Sequence, residues 1–182
     1  MSRPRKCKYC GAEMPNARPL QQACSMTCAI EISRKTIAKR EAEIKKTNRQ
    51  AVRQARERLK PRSKWMADAQ AAFNKYIRAR DANLPCVSCG RMHQGQMHAG
   101  HYRSTKAAPE LRFHPLNCHK QCQPCNTHLS GNIVEYRAEL VRRIGLENVE
   151  WLEGPHEPAK YTIDELREIK ECFSAWAKEI TK

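Results

Sequence analysis

Between Cys86 and Asn132 the chain reads C-V-S-C-G, then H-A-G-H-Y, then N-C-H-K-Q-C-Q-P-C-N-T-H-L-S-G-N. Two Cys-x-x-Cys pairs, Cys86/Cys89 and Cys122/Cys125, are separated by 32 residues, and six of the seven histidines lie inside or beside that interval. Short cysteine loops of this kind supply two thiolates from one turn, so two of them complete a tetrahedral zinc site. Four thiolates close the coordination sphere, which makes such a zinc a scaffold and leaves no position for a reacting water. The histidines offer what zinc then lacks, an imidazole whose proton affinity sits near neutral pH.

The same arithmetic applies at the N-terminus, where Cys7/Cys10 and Cys24/Cys28 form a second four-cysteine set. That segment carries Gly11, Pro15 and Pro19 and too few apolar residues for a core, so zinc must hold it together. Cys118 and Cys172 are left over and are expected to be small buried hydrophobes. The basic opening lacks the apolar run of a secretory signal, so a reducing cytoplasm is expected, where clustered cysteines point to metal before disulfide.

Helices must position these groups. From Ala29 to about Lys60 neither Gly nor Pro interrupts a run rich in Ala, Glu, Lys, Arg and Gln, which predicts one long helix. Ile30, Ile37, Ile44 and Ala51 recur every seven residues, but the companion positions are Arg34, Glu41, Asn48 and Ala55, so the seam is thin and gives only slight grounds for a homodimer. Pro61 ends that helix, and Ser63 is the expected N-cap of a second whose apolar face is Trp65, Ala69, Ala72, Phe73, Tyr76 and Ile77. The segment from Cys89 to about Lys120 suits a β-hairpin bent at Gly95 and Gly100, and a helix is expected to start near Asn126. Ile133, Tyr136, Leu140, Val141 and Ile144 predict a helix closed by Gly145. Residues 147–160 read as loop with a short helical turn, and Thr162 opens a last helix through Leu166, Phe173 and Trp176. The chain is therefore expected to be α+β and mostly helical: a four-cysteine finger over residues 1–29, a basic helical arm over 30–62, and a core-bearing domain over 63–182.

Charge is uneven along this plan. The net charge is +15, yet residues 1–64 hold 18 basic groups against 5 acidic, and the remainder 16 against 14. A surplus concentrated in this way fits a polyanion, with nucleic acid the first expectation. No apolar run approaches the roughly 18 residues of a membrane span, so a membrane partner is not expected.

Cys-x-x-Cys, the later Gly-His-Tyr, an Asn in the second strand and Cys-x-x-Cys-Asn resemble the zinc-bearing ββα-metal endonucleases (HNH, His-Me finger), among them the recombination endonuclease VII type. The fuller set A-G-H-Y-R, L-R-F, N-C-H-K-Q-C, C-N-x-H and S-G-N is similar to the phage NinG/Rap recombination family, over nearly the whole chain. The resemblance implies a ββα-metal core in 63–182 and a structure-specific nuclease for branched recombination intermediates such as D-loops and Holliday junctions, working beside recombination proteins in a bacterial host. By that likeness His101 is the general base, Asn126 a ligand of a catalytic Mg2+ or Mn2+, and Asn117 the residue that ties the hairpin loop and orients the histidine.

Many such nucleases carry an Asp or His ligand directly before the base, where this chain has Gly100. The substitute is sought among His119, His128 and, ranked third, His98. Arg103 and Arg112 are expected to clamp phosphates, while His93, His114 and His156 have no motif role and are expected at the surface. The alternatives are a non-catalytic zinc protein that binds nucleic acid and a nuclease with a specific or modified recognition sequence.

Overall fold

The computed structural model describes residues 5–181, so the first four residues of the expected finger and residue 182 lie outside it. The chain divides into two compact units, residues 1–60 and 61–182.

In the first unit β1 (Arg5–Lys6) pairs antiparallel with β2 (Glu13–Met14). Cys7 and Cys10 occupy the turn between them, and Gly11, at φ +78°, takes the left-handed conformation that lets the knuckle close. The buried centre is only Cys7, Met14 and Cys28, with Ala17 and Ala23 against it. Ser25 then caps α1 (Met26–Arg58) by accepting from the Cys28 backbone N–H at 3.2 Å. Cys28 is the one buried residue of this 33-residue helix, and Ile30, Ile37 and Ile44 are all about half exposed. Its sequence makes it helical by propensity, and its first turn contributes a thiol.

The second unit opens with α2 (Arg62–Arg80), for which Pro61, not the expected Ser63, is the N-cap: the Pro61 carbonyl accepts from Lys64 and Trp65. Trp65, Ala69, Phe73 and Ile77 on its buried face meet Leu166 and Phe173 of α5 (Ile163–Ile180). Thr162 and Glu165 start α5 with a reciprocal capping box. A second cluster joins Val87, Tyr102, Leu111, Tyr136 and Leu140 with Val149 and Leu152. These come partly from α3 (Ile133–Ile144) and α4 (Leu146–Glu153). Helix α4 takes up the first half of the segment 147–160, where loop with a short helical turn was expected. Burial of Val149 and Leu152 stabilises eight residues whose own helical signal is short.

Between the two clusters lies the hairpin of β3 (Met97–His101) and β4 (Cys118–Cys122), with His98 opposite Gln121, Gly100 opposite His119 and His101 opposite Cys118. Residues of one face, Ala99 and Cys118, pack on the α2/α5 core, and on the other His119 meets Tyr136 of α3. Asp81, at the end of α2, anchors this hairpin: its carboxylate accepts from the Lys120 backbone N–H at 2.9 Å and from Arg80 at 2.7 Å. Arg80 also donates to the Pro115 and Cys118 carbonyls, each at 2.9 Å. Burial would raise the Asp81 carboxyl, but the Arg80 guanidinium outweighs it and holds the group below its ordinary value. Without Asp81 the buried Lys120 N–H loses its acceptor, while Arg80 keeps only its two carbonyls, so Asp81→Ala is expected to lower unfolding free energy by about 1–3 kcal/mol in urea titrations.

Cys118 is buried as expected, whereas Cys172 is exposed on α5. Helical phase explains the difference, since Cys172 lies one residue before Phe173, whose position faces the core. Among the described residues no helix is long and apolar enough to cross a membrane.

Candidate functional site

Each four-cysteine set converges. The sulfur atoms of Cys7, Cys10, Cys24 and Cys28 lie within 4.8 Å of one another, as do those of Cys86, Cys89, Cys122 and Cys125. Tetrahedral zinc with Zn–S near 2.3 Å implies sulfurs about 3.8 Å apart. The observed separations are 3.9 Å for Cys89–Cys122, 3.5 Å for Cys10–Cys24 and 3.6 Å for Cys24–Cys28, so both sets fit structural zinc. Backbone donors favour the thiolate form at one cysteine of each set, while neighbouring sulfurs and burial raise Cys24, Cys122 and Cys125. The N–H groups of Cys10 and Tyr9 bring the Cys7 thiol down to about 6. At Cys86 burial opposes the charge, but the Cys122 and Cys89 N–H groups prevail and bring it to about 7. Gly90, at φ +66°, closes the second knuckle as Gly11 closes the first.

The second zinc set joins the Cys86 knuckle to the end of β4 and to a single π-type turn, Pro124–His128, which stands where a longer helix was expected. The chain then passes through Ser130, Gly131 and Asn132, all with positive φ, before α3 begins. Residue 126 follows Cys125 directly, so the metal-bound turn fixes its position.

Asn126 borders two clefts on the hairpin. One, of about 540 Å3, is lined by His101, Arg103, Thr105, Ser130 and Gly131; the other, of about 490 Å3, by Asn74, Arg78, Gln96 and His98. The Asn126 carboxamide nitrogen lies 3.0 Å from His98 Nδ1. His98, the third-ranked histidine, is thus the one brought to Asn126. His119 points to the other side, buried against Tyr136 with its Nδ1 3.3 Å from the phenol oxygen. Burial pushes its imidazole down to about 4, so it is neutral and serves packing. His128 is exposed.

His101 ends β3. Its Nε2 lies 2.9 Å from the Arg112 carbonyl, an acceptor only, so Nε2 carries the proton and Nδ1 holds the free lone pair. The Cys118 sulfur is 3.7 Å from Nδ1, and the ring lies 5.8 Å from that of Phe73. Burial pushes the Cys118 thiol well above its ordinary range, so it stays protonated and is at most a weak donor. Burial also holds the His101 imidazole below its ordinary 6.5, although the Arg112 carbonyl acts the other way. A neutral imidazole with a fixed tautomer can accept a proton at Nδ1.

Asn117 lies in a 3-10 turn just before β4 and not in the strand. Its side chain accepts from the Arg103 N–H at 2.8 Å and donates to the Arg103 and Leu111 carbonyls at 3.0 and 3.2 Å. The fully buried carboxamide thereby ties together the loop that brings the Arg112 carbonyl to His101.

The two arginines expected on phosphate are engaged within the protein. Arg103 donates to the Leu152 and Glu153 carbonyls at the end of α4, each at 3.0 Å. Arg112 reaches Gln70 at 3.1 Å and the Thr105 carbonyl at 3.4 Å. Both brace the loop. The α4 end is secured further by Glu153, which pairs with Arg137 at 2.7 Å and accepts from the Tyr102 hydroxyl. His114 and His156, expected as plain surface groups, both pack against Trp151, the first tilted and the second edge-on, with ring centroids 4.9 and 4.6 Å from the indole. His93 lies beside the zinc set, its Nε2 3.3 Å from the Cys89 sulfur.

Sequence reading passed over Gln121. It is fully buried between the Cys86 knuckle and the Gly131 turn, and donates to the Ser88 hydroxyl at 2.6 Å and the Gly131 carbonyl at 2.5 Å. Strand alternation places Gln121 and His119 on one face, but only the pairing register puts that face against His98 and Gly100.

A family model described as the bacteriophage lambda NinG protein matches residues 1–182. The protein ninG of Escherichia phage lambda is 51% identical over 122 residues, covering 67% of this chain and 60% of the relative. That of Salmonella phage P22 is 48% identical over 122 residues, with the same coverage of 67% and 60%. That of Enterobacteria phage H19B is 54% identical over 112 residues, covering 62% and 56%. The chain thus spans about three fifths of the length of the curated relatives it matches. No solved structure matches it.

Proposed function

Because the chain belongs to the bacteriophage lambda NinG family, we propose that it is a metal-dependent DNA endonuclease of the ββα-metal (HNH) kind that cuts branched recombination intermediates. In this reading β3, β4 and the turn from Pro124 into α3 form the ββα unit, and the zinc held by Cys86, Cys89, Cys122 and Cys125 stands in for its core. The observation that carries the proposal is a neutral, tautomer-fixed His101 lining one cleft together with Asn126, whose carboxamide also borders the neighbouring cleft and lies against His98 there.

His101 Nδ1 takes a proton from a water whose oxygen attacks phosphorus. The bond to the 3'-oxygen breaks, and that oxygen leaves with a proton from solvent, giving a 5'-phosphate and a 3'-hydroxyl. Asn126 and His98 would hold a Mg2+ or Mn2+ ion, which supplies charge stabilisation to the phosphoryl oxygens and the leaving group. Asn117 acts at one remove, by fixing the loop whose carbonyl orients His101. Arg78, exposed on the His98 side, is placed for a phosphate contact.

The basic α1 and the N-terminal finger, where the charge is concentrated, capture DNA through phosphates. Affinity is then expected to fall by about three to five decades between 50 and 200 mM salt for six to ten contacts, measured by fluorescence anisotropy with four-way DNA. The deciding assay offers linear, forked and four-way DNA to the zinc-loaded full chain with Mg2+ or Mn2+. Nicking of the branched substrates ahead of the linear one is the expected result. Tight binding without nicking of any substrate returns the protein to the non-catalytic binder, and cutting confined to one base sequence makes it a site-specific nuclease.

A further inference from the structure

Gly100 occupies the strand position from which a metal-ligating side chain would reach Asn126, and the structure shows what fills the vacated space. A Cβ placed on Gly100 would lie 2.1 Å from Gln121 Oε1 and 3.0 Å from Asn126 Oδ1. No side chain fits there while Gln121 keeps its place, and both carboxamide oxygens approach one point beside the β3 backbone.

The orientation of Gln121 is not arbitrary. Its nitrogen faces the Gly131 carbonyl, which can only accept, and the Ser88 hydroxyl, whose own proton is directed at that same carbonyl 3.2 Å away. Turning the amide over would set two oxygens against each other. The oxygen is therefore held toward Gly100, fully buried, with no hydrogen-bond partner among the described residues. Buried polar atoms are almost always satisfied, so an orphaned acceptor aimed at a second oxygen donor points to a missing electropositive partner.

We propose that Gln121 Oε1 is a ligand of the divalent ion, taking the coordination position that a side chain at residue 100 would otherwise supply. The inference rests on the nuclease reading above and deepens it. The resulting donor set is two amide oxygens and the His98 imidazole, which joins it by giving up the Asn126 N–H that its Nδ1 accepts in the metal-free chain. Oxygen donors suit Mg2+ and Mn2+, and the imidazole tilts the set toward Mn2+. All three donors are neutral, so the protein contributes no charge to offset the ion, and a scissile phosphate must complete the site. The ion is held weakly by the free protein and firmly once DNA is bound. Ser88 and Gly131 become positioning groups, since they aim the Gln121 oxygen.

The test is Mn2+ binding to the zinc-loaded full chain, followed by the paramagnetic enhancement of water-proton relaxation. Zinc content and melting temperature serve as the check on folding, and nicking of four-way DNA is measured in parallel. Gln121→Leu is expected to raise the Mn2+ dissociation constant about tenfold or more. Gly100→Ala, whose Cβ must displace the Gln121 oxygen, shifts it the same way and decides the matter if Gln121→Leu fails to fold. Gly100→Asp combined with Gln121→Ala restores binding, because a carboxylate from residue 100 enters the space just emptied. Unchanged Mn2+ affinity in Gln121→Leu or Gly100→Ala, with binding still lost in Asn126→Ala, overturns the role of Gln121 and leaves the nuclease reading standing. A wild-type chain that neither binds Mn2+ nor nicks branched DNA overturns both.

Discussion

Stripping zinc from the chain with a strong chelator is expected to unfold the N-terminal finger outright and to release the β3–β4 hairpin, while α2 and α5 stay helical. The two units differ in what remains when the metal leaves. Around Cys7, Met14 and Cys28 there is no further core among the described residues, so the finger has little apolar burial to offset the entropy of ordering its chain. Structural zinc supplies on the order of 10 kcal/mol in small finger peptides, and no contact in this unit approaches that. In the second unit the α2/α5 core, with Phe73 at 4.9 Å edge-to-face on Phe173, involves none of the four zinc-set cysteines. There the loss is local: the Cys86 knuckle and the Pro124–His128 turn come adrift, and with them Asn126. Metal analysis should return about two zinc per chain before treatment. After treatment, amide exchange should accelerate over residues 97–101 and 118–122 far more than over α2. Retained protection of the hairpin in metal-free protein would show that packing, not zinc, holds it. Cys10→Ser separates the sites, since it should drop one zinc and leave the melting of residues 61–182 unchanged.

The parts of this molecule that were readable from sequence are those fixed by local periodicity or by covalent spacing. Cysteine pairs with two or three residues between them define their own turns, so Cys7/Cys10 and Cys86/Cys89 could be matched with their partners before any coordinates. Trp65, Phe73 and Ile77 marked the buried face of α2 by helical spacing alone. What resisted sequence reading depends on register and on long side chains. Choosing among His98, His119 and His128 needed the knowledge that His119 sits opposite Gly100 and turns its ring to Tyr136. Nearness in sequence to Asn117 and Asn126 favoured His119, whose ring lies against Tyr136, and His128, which is exposed, over His98, which lies beside Asn126. Arg103 and Arg112 looked like phosphate ligands because a guanidinium beside a site is usually free to be one. Here carbonyls at the end of α4 and at Thr105 reach them first. Gln121 was hidden for a related reason: an amide inside a cysteine-rich strand reads as neutral filler until the gap over Gly100 is seen.

His101→Ala is the substitution with the largest expected effect on cleavage, a fall of about 10²–10⁴-fold in rate on four-way DNA with Mn2+, with zinc content and DNA affinity unchanged. The ring touches Phe73 and the Arg112 carbonyl, so its removal leaves a small gap, and a melting curve must accompany the rate. His101→Gln sharpens the test: its nitrogen can still donate to the Arg112 carbonyl, but it offers no base at pH 7, so it should fold normally and cut as poorly as the alanine variant. Burial sets the sign of the pH dependence. Because the folded imidazole titrates below 6.5, the base is deprotonated throughout the neutral range. Activity should be flat from pH 7 upward and fall only as pH drops through a midpoint lying below 6.5. A midpoint above 6.5 would mean that His101 is paired with an anion in the active complex. A rate in His101→Gln equal to wild type would mean that the proton leaves by another route. In the proposed mechanism Nδ1, the ring nitrogen not fixed on a carbonyl, takes that proton at neutral pH, with Cys118 kept as a thiol beside it.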